Sequence, residues 1–80
     1  MEKKIAVLAV IVEDRKEAEV LNGVLHAYGE YIIGRMGIPY REKKISLISV
    51  ALDAPADLIQ ELKEKLEAIP GVAVSLAVSD

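Results

Sequence analysis

The chain has no cysteine, no phenylalanine and no tryptophan, and a single histidine, His26. Without cysteine there can be no disulfides, thiolate metal sites or iron–sulfur ligation among these residues. The same absence fits a reducing compartment, so a cytoplasmic location is the expectation. One histidine cannot hold nickel or zinc without carboxylates or symmetry mates. No Ser–His–Asp or Cys–His arrangement can be assembled either. The residues therefore predict no catalytic group, no cofactor and no bound metal, and point away from an enzyme. The net charge of −3 and a pI of about 5.1 leave no basic face for direct nucleic-acid binding. No apolar run approaches the length of a membrane span. Met1-Glu2-Lys3-Lys4 before the apolar run Ile5 to Val12 briefly resembles a signal peptide. Glu13-Asp14-Arg15-Lys16 follows at once, with no small-residue cleavage site, so the run reads as a first strand.

What the chain does have is aliphatic: 52% of its 80 residues are apolar, nearly all Ala, Val, Ile and Leu. That length predicts one domain, residues 1–80, with one modest core. Lys4 to Val12 is β-branched and apolar on both faces, as a central strand would be. Asp14 and Glu17 suggest a capping box opening a helix that runs to about Tyr28, with Ala18, Leu21, Leu25 and Tyr28 on one face. Gly29 is the expected left-handed cap. Tyr31 to Ile38 and Lys44 to Leu52 read as two strands joined by a hairpin. Pro55 falls at or near the first turn of a second helix, whose stripe is Leu58, Ile59, Leu62, Leu66 and Ile69. Glu61 and Lys65 should pair on its wet side. Pro70-Gly71 stops that helix, and Val72 to Val78 is the last strand.

The order βαββαβ predicts an α+β fold. It is a ferredoxin-like sandwich with antiparallel sheet order 4-1-3-2 and both helices on one face. Strands 1 and 3, apolar on both sides, then leave an uncovered apolar face that a second chain should cover. A homo-oligomer, dimer or tetramer, is the expectation. A charge at Val10 or Ile48, whichever lies on the helix-free face, should disrupt it. Other users of this fold need residues the chain lacks. A metal chaperone needs Cys-x-x-Cys after strand 1, an RNA-recognition domain needs aromatics on its central strands, and an acylphosphatase needs a glycine-bearing cradle after strand 1.

The segment Gly34-Arg35-Met36-Gly37-Ile38-Pro39-Tyr40-Arg41-Glu42 admits three readings. It can be a simple hairpin, with Pro39 ending strand 2 and Gly37 permitting a bulge or a positive φ. Arg35 and Arg41 can be an interface pair between subunits. They can also frame a small anion site in which Gly37 lets the backbone approach the ligand. Arg35, Gly37 and Arg41 are thus the candidate ligand-binding residues. For Arg35 the acceptors within the chain are Glu30, Glu42 and backbone carbonyls.

These same residues carry a resemblance. The string Arg35-x-Gly37-x-Pro39-x-Arg41-Glu42, followed by Ile45-Ser-Leu-Ile-Ser-Val, resembles the family of iron-only hydrogenase system regulators. Val12-Glu-Asp-Arg15, Leu25-His26 and Ile69-Pro-Gly-Val72 fit it as well. The resemblance implies an ACT-like ferredoxin fold, oligomers, and a non-enzymatic regulatory or ligand-sensing role with a protein partner in hydrogenase maturation or regulation. The alternative is a structural or adaptor subunit that binds a protein partner and no small ligand. The fold also resembles the ligand-binding domain of nickel-responsive regulators, whose Cys and spaced histidines are absent here. Amino-acid-binding ACT domains carry a glycine in the loop after strand 1, and Glu13 to Lys16 has none. There is no helix-turn-helix segment.

Overall fold

The computed structural model describes residues 2–79. Strand β1 (Lys3–Val12) leads through a 3-10 turn, Arg15–Glu17, into helix α1 (Ala18–Ala27). A second 3-10 turn, Gly29–Tyr31, precedes β2 (Ile32–Tyr40), and β3 (Ile45–Pro55), α2 (Ala56–Glu67) and β4 (Val72–Val78) follow. The sheet is antiparallel throughout, in the order β2-β3-β1-β4, which is the expected 4-1-3-2 read from the other edge. It is a ferredoxin-like α+β sandwich.

Alternation along the strands decides the core. Ala6, Leu8, Val10 and Val12 of β1 and Val50, Leu52 and Ala54 of β3 are buried on one face. They form a single cluster with Leu21, Leu25 and Tyr28 of the first helical segment and Ile59, Leu62, Leu66 and Ile69 of the second. Fully burying each large aliphatic chain stabilises the fold by roughly 1.5–3 kcal/mol. The other face of the sheet has no helix over it. There Ile5, Val7, Ile11, Met36, Ile38 and Leu47 remain 37–64% exposed, too much for core positions. Val10 and Ile48 pair with each other and both lie on the helix side. The positions to charge on the open face are therefore Ile11 or Val7 instead.

Several local expectations change. Asp14 does cap, accepting the Lys16 N–H at 2.9 Å, but what it starts is the 3-10 turn, and α1 begins at Ala18. Gly29 does not take a left-handed conformation; it opens the second 3-10 turn. Pro39 does not end β2, which runs on to Tyr40. Because β2 is an edge strand, proline's missing N–H costs it no ladder bond there. The hairpin is closed by Lys44, whose φ is +56° and whose N–H bonds the Arg41 carbonyl at 3.2 Å.

The second helix behaves as its pattern dictates. Glu61 and Lys65 pair at 3.3 Å. The Lys65 ammonium also lies 5.2 Å from the centre of the Tyr28 ring. The Tyr28 hydroxyl first, and then the Glu61 carboxylate, hold the Lys65 pKa above the ordinary lysine value. Gly71 takes φ +74°, and its carbonyl accepts the Glu13 N–H at 2.7 Å, tying the start of β4 to the end of β1. A Cβ on Gly71 would sit 3.4 Å from Asp14 Cβ.

Candidate functional site

The site begins with an irregularity in β2. Ile32 pairs with Leu52, but Gly34 pairs with Ala51, so one extra residue is inserted at Ile33. A one-residue insertion reverses which side chains face which side for the rest of the strand. Arg35, Gly37 and Pro39, opposite Val50, Ile48 and Ser46, are thereby turned toward the helices. Met36, Ile38 and Tyr40 are turned to the open face. Without the bulge an arginine would stand on the open face and three large apolar residues would face α1.

On the helix side, Arg35 Nη2 donates to Asn22 Oδ1 of α1 at 2.8 Å. This bond spans a gap between α1 and the edge strand that no large side chain of β2 fills. Hollows lie on both sides of it. One, of about 230 Å³, is lined by Ala18, Leu21, Asn22, Arg35, Gly37 and Ser46, among others. The other, of about 400 Å³, is lined by Asn22, Leu25, His26, Gly29, Ile32 and Arg35. Both are at or below the lower part of the roughly 300–1,000 Å³ range of small-molecule sites. Neither is lined by an acidic side chain, so a guanidinium with one donor engaged keeps N–H groups for a carboxylate or phosphate oxygen.

Arg35 and Gly37 therefore share one hollow. Gly37 has no atom within 4 Å of where a Cβ would sit, and its φ is not positive, so its effect is to leave the hollow open. Arg41 lines neither hollow. It stands in the hairpin turn six residues from Arg35, roughly 20 Å along an extended strand. The acceptor for Arg35 is Asn22 and not Glu30 or Glu42; Glu42 instead accepts from the Tyr40 hydroxyl at 3.1 Å. The sequence does carry a signal for Asn22. It is an uncharged polar residue flanking the buried stripe of α1, one turn before His26, which lines the same larger hollow. Among the described residues, no group of three or more His, Cys, Asp or Glu side chains is placed to hold a metal ion. No described helix is long and apolar enough to cross a membrane.

The element order, sheet and one-sided helices define the class as a ferredoxin-like α+β sandwich. Known proteins bear this out. The TM1266-like family, described as "Iron-only hydrogenase system regulator, putative", matches residues 4–75. The chain belongs to this family. The uncharacterized protein TM1266 from Thermotoga maritima superposes with a TM-score of 0.93 at 36% identity, covering 99% of this chain and 100% of that one. More distant structures share the fold alone. The C-terminal domain of MgtC from Mycobacterium tuberculosis has a TM-score of 0.69 at 19% identity, over 96% of this chain and 88% of that one. A nitrogen regulatory PII-like protein from Thiomonas intermedia, bound to ADP, AMP and bicarbonate, has a TM-score of 0.61 at 20% identity, over 96% of each chain. Comparison with curated proteins gives no match.

Proposed function

We propose that the protein is a non-enzymatic, ACT-like regulatory module of the iron-only hydrogenase system. In this reading it works in the cytoplasm as a homo-oligomer and senses a small anionic ligand. Family membership supports the hydrogenase link. The ligand reading is carried by one observation: the Arg35 guanidinium is held by a neutral partner, Asn22, between two hollows without acidic lining. Arg35 anchors the anion and Gly37 leaves the approach open. Arg41, on the hairpin, adds positive potential at a distance and makes no direct contact. A regulator of this kind passes the signal to a protein partner in hydrogenase maturation or expression.

The test is thermal stability with and without sulfate, phosphate or short carboxylates, each against chloride at equal ionic strength. A ligand selective for the native state raises the melting temperature. The expected result is stabilisation that disappears in Arg35→Ala and survives in Arg41→Ala. A chain that no oxyanion stabilises contradicts the ligand reading.

The open apolar face favours a second reading, an adaptor subunit that binds a protein partner and no small ligand. Stabilisation by a partner encoded with the hydrogenase genes, with no response to any anion, would decide for it.

A further inference from the structure

We infer that two copies of this chain pack open face to open face, about a two-fold axis that runs parallel to the strands between β1 and β3. This rests on the homo-oligomeric reading above and specifies its geometry. Pairing places the open-face residues in rows across the sheet. Met36, Ser49, Ala9 and Ser75 share one row, and Ile38, Leu47, Ile11 and Ala73 the next. A third row holds Gly34, Ala51, Val7 and Ala77.

Size is distributed unevenly along these rows. Edge strand β2 presents Met36 and Ile38, whereas the opposite edge, β4, presents only Ala73, Ser75 and Ala77. A two-fold parallel to the strands lays β2 of one copy over β4 of the other, large side chains over small ones. In the centre it lays Val7 over the partner's Ala51. A hollow of about 220 Å³ on this face, floored by Ala9 and Ser49 beside Met36, Ile38, Ile11 and Leu47, offers space for knobs from the opposing sheet. A two-fold running across the strands would set β2 on β2 and β4 on β4. Met36 and Ile38 would then meet their own copies while the alanine edges faced each other over a gap.

Charge and area agree. The three rows hold no charged side chain. Lys3 and Asp53 stand together at one end, diagonal neighbours on β1 and β3, where the same axis brings each near the other's counterpart in the second copy. Four strands about 4.8 Å apart and seven residues at about 3.4 Å make a face of roughly 450 Å² in projection. The accessible area of a pleated, side-chain-bearing face is larger. Two such faces remove on the order of 1,000 Å² from water, at the low end for a stable interface. Twisted sheets stacked this way cross at about −30°, which keeps the central rows in contact.

The absence of cysteine makes the test clean. Met36→Cys and Ser75→Cys variants are prepared separately, and circular dichroism confirms that each folds. Because stacked sheets lie about 10 Å apart, a short bis-maleimide is the probe, not a disulfide. The expected result is covalent dimer when the two variants are mixed, and little from either alone. Crosslinking of Met36→Cys to itself would overturn the proposed axis and leave the oligomeric reading standing. Uncrosslinked oligomer of the expected mass in every combination would overturn the open face as the interface. A monomer by light scattering would overturn both.

Discussion

Arg35 of β2 and Asn22 of α1 are joined by a 2.8 Å hydrogen bond, the one side-chain bond seen between the edge strand and a helix among the described residues. With Ile33 bulged out of the ladder, Arg35 falls opposite Val50 and faces the helices. The bond is also what gives the candidate site its shape, with hollows on both sides of the bridge and free guanidinium N–H groups facing them.

The bridge should be measurable as a coupling. Asn22→Ala and Arg35→Ala are each expected to lower stability by roughly 0.5–1.5 kcal/mol, the usual net worth of one hydrogen bond. The double variant should cost less than the sum of the two. Urea denaturation of all four proteins gives the coupling energy directly. Additive losses would mean that the two side chains act independently.

Deleting Ile33 should be tolerated. The deletion removes the one extra residue and leaves Gly34 to Tyr40 opposite Ala51 to Ile45, so Arg35 still faces Asn22, and Met36, Ile38 and Tyr40 still face the open side. A retained anion response, with hydrogen-exchange protection of β2 and β3 little changed, is the expected outcome. Loss of both would mean that the bulge itself, and not the register beyond it, holds Arg35 in place. Substituting Ile33 by Thr, which keeps the bulge, should likewise leave both properties intact.

The glycines divide by conformation. Gly23 lies inside α1 with open space where a Cβ would project, so Gly23→Ala should stabilise by about 0.5–1 kcal/mol through helix propensity. Gly71 takes φ +74° against Asp14, so Gly71→Ala should destabilise by roughly 1–2 kcal/mol. Thermal unfolding of the two variants should therefore move in opposite directions.

Much of this fold is legible in the sequence because its strongest signals are periodic. The two-sided apolar β1, the stripe of α2 and the Pro70-Gly71 stop read directly. β4 runs from Val72 to Val78 as expected. What escapes is non-periodic. Ile32-Ile33-Gly34 gives no sign that one residue is extra, so the facing of Arg35 cannot be read from it. Pro39 ends a central strand but not an edge one, and the edge position of β2 is a fact of topology. Gly29 looks like a left-handed cap until Tyr28 and Tyr31 are seen closing a 3-10 turn around it, with the Tyr31 N–H bonded to the Tyr28 carbonyl at 3.0 Å. Two apolar faces on β1 and β3 announce a covered sheet, yet not which face the helices take. That ambiguity makes Val10 and Ile48 look as suited to the open side as Ile11 and Val7. Within the site, Arg35 and Gly37 are visible as a motif. Asn22 comes from a helix thirteen residues earlier in the chain, and only the fold brings it to Arg35.

The most direct test of the account as a whole is the mass of the native protein and of Ile11→Glu, by light scattering at micromolar concentration. The native chain should report at least twice its 8.7 kDa mass. Ile11→Glu puts a charge on a central strand of the open face without touching the core. It should remain folded by circular dichroism and fall to a single chain. A native protein that is already a clean monomer, or an Ile11→Glu variant that assembles as the native one does, would contradict the claim that a second copy covers this face.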